Sequence, residues 1–199
     1  MNFPSMLQPS RPAGGWSAIV RISVAVSLAL VAACLRPTPA RAVTIDWVTV
    51  GDPGNTADTT TYGAVADSFQ IMKFEFTNQQ YTDFLNSVAV TDTYGLYNTN
   101  MGSNARGGIT QNGSSGSFTY AFKANMGDKP VNYVSWFDAA RVANWLVNGG
   151  TSSSSTETGA YTLSGATSGT APAVNPGATF YIPMAVSYTH LTLPTILRV

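Results

Sequence analysis

Apolar positions along the middle of this chain recur with two different periods, and each period predicts its own kind of element. Residues 44–51 (TIDWVTVG) are rich in β-branched side chains and predict a first strand. Residues 68–77 (SFQIMKFEFT) carry Phe69 and Ile71 on one face and Met72, Phe74 and Phe76 on the other, the pattern of a strand buried on both sides. The period then changes. Tyr81, Phe84, Leu85 and Val88 fall at i, i+3, i+4 and i+7, on one face of a helix. Thr77 can cap that helix while Gln80 reaches back to it. Residues 118–122 alternate, with Phe118, Tyr120 and Phe122 on a shared inner face, and predict an antiparallel strand.

A second helix is predicted after Pro130. Ser135 is its N-cap and Asp138 the reciprocal partner, whose negative charge also suits the helix N-terminus. Gly149 and Gly150 end it. Trp136, Ala139, Ala140, Ala143 and Val147 share one face, and small alanines beside an indole predict that another element packs very close. The stretches between these elements are polar. Residues 92–116 read as a glycine-rich loop, in which Asn112-Gly113-Ser114 matches a glycosylation sequon and reads as a plain turn. Residues 151–178 are rich in Ser, Thr, Gly and Ala, yet Tyr161 and Leu163 are out of place in a flexible linker. They predict an ordered surface excursion that returns to the core through residues 178–183 (ATFYIP).

Composition sharpens this picture at the ends of the chain. Hydrophobic residues make up 44% of the 199 and charged residues only 10%, so surface polarity rests on Ser, Thr, Asn and Gly, a balance frequent in exported bacterial proteins. Arg11 and Arg21 precede the apolar run Ile22 to Leu35, which is followed by Pro37, Pro39 and Ala40-Arg41-Ala42. Residues 1–42 therefore read as a secretory signal peptide cleaved after Ala42, too short in its apolar core for a membrane anchor. Val31-Ala32-Ala33-Cys34 also resembles a lipoprotein box, which would make Cys34 a lipid anchor and the only route to a membrane. Residues 43–183 hold ten acidic and five basic side chains, a net charge of minus five. That balance argues against a nucleic-acid partner, because phosphate binding requires clustered Lys and Arg.

The same residues contain neither cysteine nor histidine. A zinc site lacks its nitrogen and sulfur donors, and a Ser-His-Asp or Cys-His nucleophile lacks its base. Asp52, Asn55 and Asp58 offer oxygens to calcium, but their spacing does not match an EF-hand loop, and Asx turns explain them more simply. Trp136 and Trp145 read as core, Asp138 as a cap, Arg141 as a group that packs or binds a loop carbonyl, and Glu75 as a buried hydrogen-bond acceptor. No catalytic, cofactor-binding or metal-ligating residue is assigned.

Four phrases, taken in order, resemble the formylglycine-generating enzyme and sulfatase-modifying factor family, particularly its exported bacterial members. They are FQIMKFEFTNQQYTDFLN, DTYGLYNTNM with GGI, KPVNYVSWFDAARVANWL, and ETGAYTL ahead of FYIP. The resemblance covers about residues 45–183 and implies a partial domain there. The implied fold is α+β, an irregular formylglycine-generating-enzyme arrangement related to C-type lectins, of which this chain would hold the N-terminal portion. Active members of the family oxidise a sulfatase cysteine to formylglycine, using oxygen and copper held by two cysteines in the carboxy-terminal half. None of those ligands has a matching position here. The resemblance thus implies no cofactor in this fragment, and copper or calcium in a full-length protein. Residues 184–199 (MAVSYTHLTLPTILRV) resemble the translated read-through of a sequencing adapter, so His190 is expected to be non-native and without function. Two function classes stand side by side, with a calcium-dependent module using the loop carboxylates as a weaker third. One is an exported domain of the formylglycine-generating type whose catalytic half is absent. The other is a non-enzymatic, lectin-like module for a protein or carbohydrate ligand.

Overall fold

Two reciprocal caps set the frame of the molecule. The computed structural model describes residues 43–50, residues 53, 54, 56, 57 and 59, and residues 68–183. Thr77 Oγ1 accepts from the Gln80 amide at 3.2 Å, and Gln80 Oε1 accepts from the Thr77 amide at 2.9 Å. This capping box opens α1 (Asn78–Val88) as its sequence predicts. Tyr81, Phe84 and Leu85 are fully buried, and Val88 packs partly against them. The second box does the same for α3 (Trp136–Val147), with Asp138 N donating to Ser135 Oγ at 3.2 Å and Ser135 N to Asp138 Oδ2 at 2.8 Å. Gly149 and Gly150, at φ of +94° and +66°, turn the chain away after α3.

The strands are shorter than expected. β1 (Trp47–Val50) and β2 (Phe69–Met72) form an antiparallel two-stranded ribbon, with Trp47 opposite Met72 and Val50 opposite Phe69. β2 was expected to run to Thr77 with both faces buried; it stops at Met72, and Phe74 is 61% exposed. A ribbon of two strands has no layer on each face to cover such a run, so only Phe76 reaches the core. Glu75 is exposed and not the buried acceptor that the sequence suggested.

Residues 92–116, expected as loop, contain a short helix α2 (Asn100–Ser103) and a strand β3 (Ile109–Asn112). β3 pairs with β4 (Thr119–Phe122) in an antiparallel hairpin, Ile109 opposite Phe122 and Asn112 opposite Thr119. Only Tyr120 of the expected inner aromatic face is buried. Phe118 packs partly on the core, and Phe122 is 45% exposed, lying over Gly127. The hairpin is docked on α1 by Asn86, whose side chain bonds both the amide and the carbonyl of Tyr120, each at 2.9 Å.

Helix α3 is the partition of the fold. One face, Val142 and Trp145, joins Tyr81, Phe84, Leu85, Leu96, Met101, Ile109 and Tyr120 in the larger core cluster. The other, Phe137, Ala140 and Ala143, packs on Ala160, Tyr161 and Leu163, with Trp136 and Val147 at its margin. The predicted alanine face is this second one, and the close approach it implied is real. At Gly159 a Cβ would lie 3.1 Å from Asn144 Cα, and the φ of +148° is one that side-chain-bearing residues rarely adopt, so any larger residue there is crowded and strained. A helix buried on both sides presents apolar side chains to both neighbours, and the polar groups this one buries, Asp138, Arg141 and Asn144, must find partners inside the fold.

Candidate functional site

Around the outer edge of α3 the sequence places polar groups where the fold buries them. Arg141 sits in the middle of the helix with no exposed side-chain surface. Its Nε donates to Glu157 Oε1 at 2.8 Å, its Nη2 to the Ala166 carbonyl at 3.0 Å, and the Tyr94 ring lies 4.2 Å from the guanidinium carbon. Glu157 also accepts from the Gly165 amide at 2.6 Å, so an ion pair with a buried guanidinium and a partly exposed carboxylate fastens the 151–178 excursion to the helix. The expected loop carbonyl is thus present as Ala166, and the pairing with Glu157 is new. It joins residues sixteen apart through a loop whose path no local pattern encodes.

Asn144 and Asn148 extend the same fastening. Asn144 Nδ2 donates to the Thr156 and Tyr161 carbonyls at 2.8 and 3.0 Å, and its Oδ1 accepts from the Tyr161 amide at 2.7 Å. On α1, Asn78 Nδ2 donates to the carbonyls of Met126, Lys129 and Pro130, drawing the segment before α3 onto the first helix. The buried Tyr81 hydroxyl donates to the Leu96 carbonyl at 2.8 Å, and burial raises its pKa well above the ordinary tyrosine value. Trp145 is core, as expected, and donates its indole N–H to the Thr151 carbonyl at 2.9 Å.

Two carboxylates lie at the rim of this network. Burial raises the pKa of Asp138, against the opposing pull of its bonds to Ser135 and of the Arg141 charge. Burial likewise raises Asp92, whose Oδ1 and Oδ2 accept the Leu96 and Tyr97 amides at 2.7 and 3.2 Å. A carboxyl whose folded pKa lies above its unfolded value of 3.8 contributes full stability below that value and loses it as pH rises through the folded pKa. Asp92→Asn removes the titration while keeping a residue type that tolerates the φ of +50° at this position. Urea unfolding should therefore show the wild type gaining stability relative to the variant on going from neutral pH to the ordinary carboxylate range. An equal gap at both pH values would contradict the burial of this group.

A different feature lies at the amino end. Val43, Ile45 and Trp47 face Leu146, Gly150 and Phe180 across an open, mainly apolar cleft of about 220 Å³. Trp47 is 38% exposed and its ring lies 5.7 Å from that of Phe180. Sequence reasoning passed over this cleft, because Trp47 and Phe180 are remote in the chain and each looks like an ordinary strand residue.

None of these arrangements brings a nucleophile to a base. Among the described residues no group of three or more His, Cys, Asp or Glu side chains converges as a metal site, and no helix is long and apolar enough to cross a membrane. Cys34, Asp52, Asn55, Asp58 and His190 lie outside the described residues.

The caps at Thr77 and Ser135, the Asn78 latch and the pinned excursion fall on the phrases that carried the family resemblance. A family model for the sulfatase-modifying factor enzyme 1-like domain matches residues 47–196, running past Pro183 beyond the span over which those phrases were legible. No curated protein and no solved structure matches the chain significantly. With a family match over well more than half its length and a mixed α+β fold of helices and small antiparallel sheets, the chain belongs to the sulfatase-modifying factor enzyme 1-like family.

Proposed function

We propose that this chain is the scaffold portion of an exported sulfatase-modifying-factor-type domain, and that the chemistry of the domain belongs to a carboxy-terminal half outside residues 43–183. The observation that carries this reading is the use already made of the buried polar side chains. Asn78, Asp138, Arg141 and Asn144 each hold a loop or a helix end in place, although Asn78 Oδ1 and Arg141 Nη1 have no hydrogen-bond partner among the described residues. Copper held by paired thiolates, as in active relatives, does not fit the described residues, whose side chains include neither thiol nor imidazole. Calcium remains a candidate for the full-length protein, and Asp52, Asn55 and Asp58 are one set of oxygens that could serve it. Long loops and two small two-stranded sheets are in keeping with an irregular fold related to C-type lectins. The leader-like residues 1–42 support export, with either cleavage after Ala42 or lipidation of Cys34, and the mass and first residue of the mature protein separate the two.

The test has two arms. Incubated with a cysteine-containing sulfatase peptide, oxygen and copper, the 199-residue chain is expected to form no aldehyde. The gene, resequenced across the codon for Pro183, is expected to continue in a different frame from residues 184–199 and to encode the paired cysteines, and its full product is expected to form the aldehyde. Aldehyde from the 199-residue chain would sink the reading, and an intact frame through Val199 would refute the non-native tail. A second reading, a lectin-like module for a carbohydrate, is favoured by the open aromatic cleft at Trp47 and Phe180. It expects an uninterrupted gene without paired cysteines.

A further inference from the structure

An asparagine followed by glycine is open to attack by its own backbone, because glycine has no side chain to obstruct the approach of its nitrogen. The chain contains two such steps, Asn112-Gly113 and Asn148-Gly149. They are closely matched. Both asparagines are exposed, and both glycines have positive φ, +91° and +94°.

They differ in how the side-chain amide is held. Asn148 Nδ2 donates to the carbonyls of Asn144 at 2.8 Å, Ser155 at 3.1 Å and Thr158 at 2.7 Å. The Asn112 amide has no hydrogen bond to any described residue. Asn112 is also the last residue of β3, opposite the first residue of β4, at the mouth of an exposed hairpin loop where pairing frays most readily.

We propose that Asn112 is a site of intrinsic deamidation and that its three hydrogen bonds protect Asn148. The backbone nitrogen of Gly113 attacks Asn112 Cγ and forms a new C–N bond. The Cγ–Nδ2 bond breaks, and the leaving nitrogen departs as ammonia with the proton given up by Gly113. Solvent water then opens the cyclic imide at one carbonyl or the other. The product is aspartate, or isoaspartate in which the main chain runs through the former side chain. No electrons are transferred, and water is the only co-reactant.

The position gives the modification a structural consequence. Gly116 N and Phe118 N both donate to the Val90 carbonyl, at 3.0 and 3.1 Å, and Ser115 Oγ donates to the Thr91 carbonyl at 3.1 Å. The hairpin loop is thereby docked on the segment after α1. A new negative charge, and in isoaspartate an extra backbone methylene, at the end of β3 disturbs the pairing of Asn112 with Thr119 that supports this docking.

Peptide mapping by mass spectrometry tests the proposal on the purified full chain, held at mildly alkaline pH both folded and in denaturant. In the folded chain Asn112 is expected to convert to the acid about threefold to fivefold faster than Asn148, since bonds must break before the Asn148 amide can turn. In denaturant the two rates are expected to converge. Asn112→Gln, whose longer side chain closes the ring far less readily, is expected to lose the signal. Equal rates in the folded chain, conversion of Asn112 only on unfolding, or an unchanged signal in the Gln variant would each overturn the proposal.

Discussion

Trp145→Ala is expected to lower the unfolding free energy by about 3 to 5 kcal/mol, the range for removing a large buried aromatic. The indole is fully buried between the two helices, and its ring meets Phe84 edge-on at 5.4 Å. Alanine leaves a cavity that α1 and α3 cannot close, because the hairpin and the Asn78 latch fix α1 from the other side. It also strands the Thr151 carbonyl that accepts the indole N–H. Domain stabilities of about 5 to 15 kcal/mol make such a loss nearly sufficient to unfold the chain. Trp145→Phe separates the two contributions, since it keeps most of the ring and drops the hydrogen bond, for a cost of about 1 to 2 kcal/mol. Urea unfolding followed by circular dichroism measures both. A loss below about 1 kcal/mol for the alanine variant would mean that this contact is not the centre of the core.

Asn144→Ala should come next, at about 3 kcal/mol or more, because one substitution orphans three backbone groups that no neighbour can satisfy. The Tyr161 amide and carbonyl and the Thr156 carbonyl all bond this side chain, which is completely buried. Asn148→Ala is the internal control. That residue also makes three bonds to carbonyls, but it is exposed, so water replaces them and the cost should stay near 1 kcal/mol or less. Hydrogen exchange adds a local readout. The Tyr161 amide should be protected in the wild type and in Asn148→Ala, and fast in Asn144→Ala. Equal effects of the two substitutions would show that the excursion is held by its apolar contacts and not by the buried amide.

The excursion also marks how far the candidate site was legible in advance. Tyr161 and Leu163 betrayed an ordered segment, because apolar side chains of that size are seldom left in water, and both are buried. The means of attachment was not legible. Asn144, Asn148 and Arg141 each reach at least one partner ten or more residues away, and a polar side chain on or just after a helix gives no sign of which loop will return to it. The cleft at Trp47 and Phe180 was hidden for the same reason.

The sequence by itself determined both helix starts, the Tyr81 face of α1 and the alanine face of α3. A cap is a bond between residues three apart, and a helical face repeats within two turns, so both are closed locally. The family, too, was legible, from the order of four phrases. Tertiary structure decided the rest. It cut β2 short at Met72 and left Phe74, Glu75 and Phe122 outside, because exposure depends on whether another layer arrives to cover a strand. It made a strand of β3, whose only buried residue is Ile109, by supplying β4 as its partner. It also gave α3 its second buried face, since a helix becomes a partition only when elements from both directions of the chain close upon it.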